Sequence, residues 1–164
     1  DQALSKSKTC GLCDTAVWLR SVPQFPAESD FSQCYHLAWQ WAVTIAGHYG
    51  QYNCDISGWF LSDSGNDDSS LMKYEIAAGT TIAAHDYMVF SEDQHFGNPG
   101  DLGAHQLYAL SENGEAVYLS SGQDGLLTGY RQSENFGASE ADIAFGRYQK
   151  STGTRLTMLS RWKR

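Results

Sequence analysis

Proline and long apolar runs are scarce in this chain of 164 residues. With only 3 prolines against 16 glycines, we expect glycine to make most of the turns. No run of about 18 apolar residues occurs, so the sequence predicts no membrane-spanning helix. A hydrophobic content of 41% and an aromatic content of 13% nevertheless predict one folded domain with a proper core.

Basic residues are almost missing from the middle of the chain. Residues 55–142 contain 15 acidic residues and only two basic ones, whereas residues 143–164 contain six basic residues and no acidic one. The whole chain carries a net charge of −8. Because a strongly acidic body repels nucleic acid and anionic lipid, we do not expect it to bind DNA. The basic end either folds back on that body, binds an anion, or forms a terminal strand with solvated side chains.

Cysteine does not occur after the first third of the chain. The four cysteines are Cys10, Cys13, Cys34 and Cys54. Together, or with His36 or His48, they are candidates for a tetrahedral zinc site. A strong zinc motif needs a second close pair beside the single C-x-x-C, and a redox pair needs a βαβ setting; the sequence provides neither. Disulfides are the third alternative and suit an exported domain.

The usual catalytic signatures are missing as well. No G-x-S-x-G, P-loop or Rossmann glycine pattern occurs, and the five histidines show neither H-E-x-x-H nor H-x-H spacing. His95, beside Glu92 and Asp93, is the histidine with candidate acid–base or metal neighbours. No two acidic residues are marked out as the paired carboxylates of a glycosidase. We therefore predict a protein that is not an enzyme and has no resident cofactor.

One acidic loop is a candidate calcium site. Its ligands would be Asp63, Asn66, Asp67 and Asp68. Calcium accepts such oxygens in irregular loops, although this loop has neither the EF-hand spacing nor its terminal Glu. A solvated turn is the alternative.

Apolar alternation predicts a mainly β chain. Predicted strands cover residues 58–62, 71–76, 86–91, 105–110, 115–120, 126–130, 143–149 and 155–160. Their spacing, with glycine-rich turns between them, is typical of a sandwich or barrel. Residues 120–125 should form a hairpin turn between 115–119 and 126–130. Residues 87–90, apolar on both faces, should form a central strand.

Residues 1–54 form an irregular, cysteine-containing segment in this prediction. Within it, residues 30–46 fit the apolar face of a helix that ends at Gly47, which would be the one helix of residues 30–47. Residues 39–45 also alternate as a strand. Because the chain begins at Asp1 rather than Met, we expect a processed or excised piece of a longer protein.

Four blocks follow one another along residues 55–153. They are residues 55–63 (DISGWFLSD), 74–90 (YEIAAGTTIAAHDYMVF), 110–119 (LSENGEAVYL) and 145–153 (FGRYQKSTG). In this order they resemble the motifs of the lamin tail domain family. Stretches at 92–97 and 136–140 resemble inserts of its bacterial members. The first third of the chain and its last residues lie outside the resemblance.

The resemblance implies an immunoglobulin-like antiparallel β-sandwich over residues 55–164. The residues that match its fold motifs are Gly58, Trp59, Gly79, Gly114, Gly146 and Arg147. Gly58 and Gly114 would free tight turns, and Gly79 would adopt a φ that other residues avoid. Trp59 would plug one end of the core, and Gly146 would mark a bulge or close packing.

The resemblance also implies a function. We expect a non-catalytic structural or binding module of an exported protein, found outside the cell or on its surface, that attaches to a protein or surface partner. One alternative is a secreted metal-binding or metal-dependent protein that uses the cysteine-rich first third. A second is a carbohydrate-binding sandwich with Trp39, Tyr49 or Tyr52 as stacking platforms for a glycan. An incomplete sheet edge would favour self-association.

Overall fold

A computed structural model describes residues 17–23, 39–46, 53–84, 86–138, 144–150 and 153–159. This part of the chain is mainly β. The strands are β1 (Val17–Pro23), β2 (Trp39–Ala46), β3 (Cys54–Asp55), β4 (Phe60–Ser62), β5 (Tyr74–Glu75), β6 (Thr81–Ile82), β7 (Tyr87–Ser91), β8 (Gly114–Gln123), β9 (Leu126–Gly137), β10 (Ala144–Lys150) and β11 (Gly153–Leu159). The helical elements are α1 (Asp68–Leu71) and a π-helical turn over Glu92–Phe96. Neither of these two helices of the described residues is long and apolar enough to cross a membrane.

The strands form two large antiparallel sheets and a small ribbon. One sheet has the order β11-β10-β1-β2-β7, the other has the order β5-β4-β8-β9, and β3 pairs with β6. The five-stranded sheet contributes Val43, Ile45 and Phe90 to a buried cluster, and the four-stranded sheet contributes Leu61 and Leu119 to the same cluster. Because side chains alternate between the two faces of a strand, each large sheet places one face on a common core.

The hairpin between β8 and β9 confirms the predicted connection, but the turn is shorter than the predicted residues 120–125, because residues 120–123 belong to β8. Asp124 and Gly125 connect the strands with φ angles of 54° and 75°. Two consecutive positive φ angles match the right-handed twist of the flanking strands, and an Asp-Gly pair tolerates them. Away from the turn, the register of the hairpin shifts at Ser121. On the far side of this shift, Ser120 pairs with Arg131. Gly129, at φ 104°, lies in the irregular part of β9.

The first third of the chain contributes two strands. β2 confirms the strand predicted at residues 39–45, and a helix is wrong for residues 39–46; residues 30–38 lie outside the described part. The buried residues Val43 and Ile45 explain this outcome, because apolar alternation with a period of two buries one face of a strand. β1 was expected to be irregular. β1 pairs with β10, and β2 pairs with β7, so strands from the first third of the chain and strands from the rest share one sheet.

One predicted strand, residues 71–76, is wrong in part, and another, residues 105–110, is wrong altogether. Residues 68–71 form α1 because Asp67 accepts a hydrogen bond from the Ser70 amide (2.8 Å), while the Ser70 hydroxyl accepts from the Asp67 amide (3.0 Å). The strand predicted at 71–76 is reduced to Tyr74–Glu75. Residues 105–110 form no strand, because their amides bond to different segments: that of Gln106 donates to the Lys73 carbonyl (2.9 Å) and that of Tyr108 to the Phe96 carbonyl (3.3 Å).

β7 is an edge strand among the described residues, and its prediction as a central strand is wrong. Phe90 is buried on the core face, but Tyr87 is 64% exposed and Val89 is 41% exposed on the other face. Apolar residues on both faces are typical of a buried strand. In β7, by contrast, the second apolar face is exposed at the edge of the sheet.

The glycines at the predicted turns adopt the expected backbone. Gly58 and Gly79 have φ angles of 70° and 80°, and Gly114 has a φ of 91°. The Gly58 amide donates to the Ile76 carbonyl over 2.8 Å, which fixes the turn before β4. Trp59, the next residue, is partly buried and packs against the core cluster. These residues therefore serve the fold.

Gly146 and Arg147 lie in β10, opposite Thr157 and Leu156 of β11. The pairing of β10 with β11 runs through Gly146 without a shift in register. The bulge that was one of the two alternatives at Gly146 is therefore wrong.

We predict that Gly122→Ala strongly destabilises the fold. A Cβ at Gly122 would overlap the Gly58 carbonyl oxygen and the Phe60 ring. Because the backbone at Gly58 cannot shift without disturbing other contacts, we expect a loss of about 2–3 kcal/mol in the free energy of unfolding. Urea denaturation measures this loss. Gly137→Ala is the matched control, because a Cβ there meets nothing within 4 Å. Equal stabilities for the two variants would contradict the close approach.

Candidate functional site

The outer face of the four-stranded sheet carries a row of mixed side chains. Pairing places Glu75 of β5 opposite Phe60 of β4, Phe60 opposite Ser120 of β8, and Ser120 opposite Arg131 of β9. Neighbouring Leu119 belongs to the core cluster, so this row points away from the core. Within this row Phe60 and Ser120 are buried, at 1% and 2% exposed, so the surface presents Glu75 at one end and Arg131 at the other.

A contact between polar side chains closes each end of this row. His105 Nε2 lies 3.3 Å from Glu75 Oε2, and Arg131 Nη2 lies 3.4 Å from Asp68 Oδ1. Asp68 reaches β9 because the Asp67 capping box starts α1 beside the sheet. The side chains of Arg131 and Asp68 are 47% and 81% exposed, so this pair is solvated and available to a partner.

An open depression of about 440 Å³ lies beside the Arg131 end of the row. We call it the β9 depression; its lining residues are Asp68, Ser120, Leu127, Gly129, Tyr130 and Arg131. Its rim carries opposite charges, and its wall includes the apolar Leu127. Such a mixture of apolar surface with a few polar groups is typical of recognition sites.

Ser120 is the buried polar group of the depression. The residue is 2% exposed, and its hydroxyl has no hydrogen-bond partner within the part of the chain that the structure describes. Adjacent Ser121 differs, because its Oγ accepts from the Thr128 hydroxyl (2.7 Å) and the Tyr130 amide (3.0 Å). A buried hydroxyl without a partner costs free energy, and because its oxygen is inaccessible from the surface, Ser120 belongs to the floor beneath the depression.

An aromatic pair flanks the same depression. The rings of Trp59 and Tyr130 lie 5.4 Å apart at an interplanar angle of 42°. The Tyr130 hydroxyl donates to Gln132 Oε1 over 2.9 Å. This bond and the contact with Trp59 together hold the ring in place. Tyr130 is 36% exposed and offers a flat apolar surface with a polar tip.

Each acidic residue of the candidate calcium loop has a partner of its own in the described part of the chain. Asp63 Oδ1 lies 2.6 Å from Lys73 Nζ, and Asp68 pairs with Arg131. Asp67 Oδ1 accepts from the Ser69 hydroxyl (2.7 Å) and the Ser70 amide; these bonds, the hydroxyl first, lower the pKa of Asp67. Asn66 is exposed beside them. Throughout the described ranges, no three His, Cys, Asp or Glu side chains converge as metal ligands.

Cys54 follows the disulfide alternative. It is disulfide-bonded and 2% exposed, so it offers no thiolate to zinc. Cys10, Cys13 and Cys34 lie outside the described residues, as do His36 and His48.

His95 has a structural environment. Its Nδ1 accepts the Ser91 amide over 3.0 Å, and its ring meets Tyr74 and Phe90 edge-on at centroid distances of 6.1 Å and 5.3 Å. Since Nδ1 accepts, the tautomer carries its proton on Nε2. These contacts attach the π-helical turn to the end of β7.

The cluster around Lys73 is a closed polar site. The side chains of Lys73 and Asp63 are only 12% and 17% exposed, and Lys73 Nζ lies 5.7 Å from the centroid of the Tyr108 ring. Tyr108 stacks on Phe96 with centroids 4.6 Å apart. Burial raises the pKa of nearby Glu115; the Ser111 amide, which donates to its carboxylate, opposes this rise, and the charge of Asp63 adds to it. This cluster fixes the loop before β8.

The aromatic platforms proposed from the sequence are not those of this surface. Trp39 lies in β2, and Tyr49 and Tyr52 lie outside the described residues. Sequence reasoning missed Tyr130 and Arg131. Gly129 was the available signal, because a glycine inside a strand pattern often marks a bulge or a close approach.

We predict that Lys73→Met lowers the free energy of unfolding by about 2–4 kcal/mol, because it leaves Asp63 largely buried without its counter-charge. Arg131→Met is the matched control, since its pair with Asp68 is solvated and should contribute at most about 0.5 kcal/mol. Urea denaturation of both variants measures the difference. A Lys73→Met variant as stable as the control would show that solvent screens the inner pair.

Stability should also depend on Glu115 and pH. Its pKa is raised in the folded state, so the folded protein disfavours the ionised form. The contribution of Glu115 to the free energy of unfolding should therefore fall as the pH rises from the unfolded pKa of about 4.3 through the folded pKa, and Glu115→Gln removes this contribution. Urea unfolding at about pH 3.5 and about pH 7 should show Glu115→Gln gaining on wild type at the higher pH. Glu112→Gln, at an exposed residue, is the control. If Glu115→Gln gained stability relative to wild type at the lower pH instead, the expected sign of the effect would be wrong.

Comparison of the chain with protein-family models, with curated proteins and with solved structures finds no match. Functional inference therefore depends on the residues of this chain and their geometry.

Proposed function

We propose that this chain is a non-catalytic binding module of an exported protein, which attaches to a protein or surface partner through the β9 depression. The observation that carries this proposal is the solvated Arg131–Asp68 pair beside the exposed ring of Tyr130. A partner with complementary charges could engage the pair while an apolar group of the partner packs on the ring. Such complementarity gives orientation and specificity.

Contacts between two of the lamin-tail-like blocks support the family and its immunoglobulin-like sandwich. The Ile56 amide donates to the Thr80 carbonyl over 3.0 Å, and the Gly79 amide donates to the Ser57 hydroxyl over 2.9 Å. These bonds join the Ser57–Gly58 turn to the Gly79 turn. The core cluster shared by both large sheets agrees with a sandwich.

The disulfide at Cys54 supports export. Disulfides form and persist in oxidising compartments and are rare in reducing ones. It also weighs against the metal-dependent alternative, which loses one of its four thiolates.

Carbohydrate binding is the second candidate function. The Trp59–Tyr130 pair favours it, because an exposed aromatic ring beside hydrogen-bonding side chains can stack on the apolar face of a sugar. Asp68 and Arg131 would then bond to sugar hydroxyls. Both candidates use the same depression, so one set of variants tests both.

The test compares wild type with Tyr130→Ala, Arg131→Glu and Leu102→Ala. Leu102 is 98% exposed outside the depression and provides the matched control. For a protein or surface partner, each variant is immobilised and exposed to surface proteins and cell-wall material of the source organism. We expect Arg131→Glu to reduce capture at least about tenfold through charge reversal, and Leu102→Ala to leave it unchanged.

For a glycan, the same variants are titrated with soluble xylan, β-glucan and chito-oligosaccharides by NMR. We expect shift changes at Tyr130 and about a tenfold loss of affinity in Tyr130→Ala. Capture that survives Arg131→Glu, with no glycan-induced shifts at Tyr130, would remove the depression as a binding site. Melting temperatures confirm that each variant is folded.

A further inference from the structure

The free backbone edge of β7 has a defined set of donors. β7 pairs with β2 and is outermost in its sheet among the described residues. The Ser91 amide donates to His95 Nδ1, so it does not point toward β2. Because amides alternate in direction along a strand, those of Tyr87 and Val89 also point away from β2.

Two of these three donors are already occupied. The Tyr87 amide donates to Asp86 Oδ1 over 2.8 Å, and the Ser91 amide donates to His95 over 3.0 Å. The Val89 amide lies between them, and no described residue accepts from it. Because Asp86 and His95 occupy the neighbouring amides, pairing at this edge is restricted to the Val89 amide.

The charges that flank β7 decide which strands could pair with its edge. Asp86 precedes β7, and Glu92 and Asp93 follow it. An antiparallel pair of two β7 strands centred on Val89 would place Asp86 of each copy opposite Glu92 of the other, and facing like charges destabilise a pair. A second β7 is therefore a poor partner.

The opposite edge of the same sheet is β11, which is outermost there among the described residues. β11 contains Arg155, and the sequence that follows it adds Arg161, Lys163 and Arg164 and no acidic residue, so this end of the sequence is complementary in charge to the flanks of β7. We propose that copies of this chain associate head to tail, with β7 of one copy pairing at Val89 beside β11 of the next.

This contact has a weak, heterologous character. A contact limited to one central residue and its flanks buries little surface, so we expect a dissociation constant on the order of 0.1–1 mM. Because acidic and basic flanks attract each other, association should weaken as salt rises from about 20 mM to about 500 mM. A head-to-tail contact uses two different surfaces and extends into short chains unless the geometry closes a ring.

Complementation of two blocked variants tests the proposal. Val89→Lys blocks the β7 edge, and Arg155→Glu blocks the β11 edge. Tyr87→Lys, also in β7, and Thr157→Glu, also in β11, are substitutes if either variant fails to fold. In sedimentation velocity at about 0.5 mM, wild type should show a rising weight-average mass, and each blocked variant alone should remain monomeric. An equimolar mixture should form a 1:1 dimer that grows no further, because one intact β7 and one intact β11 remain.

The control and the contradicting outcomes are distinct. Leu102→Lys adds the same charge at a residue 98% exposed outside β7 and should associate like wild type. Wild type that stays monomeric at this concentration and low salt would overturn the proposal. So would association that Val89→Lys abolishes but Arg155→Glu leaves intact, because it indicates pairing between two β7 strands. A blocked mixture that stays monomeric would exclude the head-to-tail arrangement.

Discussion

The turn at Ser57–Gly58 and the segment that leads to Gly79 form the contact on which the other elements depend. The Gly58 amide donates to the Ile76 carbonyl, and the Ile76 amide donates to the Trp59 carbonyl over 2.7 Å. These bonds place β4 beside β5 and direct the Trp59 ring toward Tyr130. A loose turn here would shift β4, and with it the row from Glu75 to Arg131. The scaffold and the candidate surface thus share one anchor.

The register of the β8–β9 hairpin determines the chemistry of the surface. Near the turn, Gly122 pairs with Leu127; beyond the irregular segment, Ser120 pairs with Arg131. Regular pairing continued from the turn would have placed Gly129 opposite Ser120. The bulge therefore brings a base beside the buried hydroxyl, and Ser121 holds the bulge by accepting from Thr128 and Tyr130. The proposed binding at this surface would depend on a local departure from regular pairing.

Local signals account for what could be predicted. Asp124-Gly125 predicted the hairpin because its backbone preference is local, and the alternation that ends in Val43 and Ile45 predicted β2. Alternation alone did not exclude a helix there, because the same residues also fit a helical period. The exposure of β7 was not predictable, since Tyr87 and Val89 have the composition of buried residues and only the sheet order shows them at an edge. Arg131 and Asp68 meet across 63 positions, which no local pattern reports.

The acidic charge of the chain connects its edge with its function. A long β edge that exposes Tyr87 and Val89 is an aggregation hazard, and natural sheets blunt such edges with side-chain caps and charge. Asp86 does both: it occupies the Tyr87 amide and repels a second β7. The same charge would attract the basic end of another copy. The acidic flanks that disfavour pairing between two β7 strands would therefore favour pairing between β7 and β11. Since the β9 depression lies on the other large sheet, head-to-tail copies would each keep that surface open, and several weak sites held together would bind a repetitive surface more tightly than one.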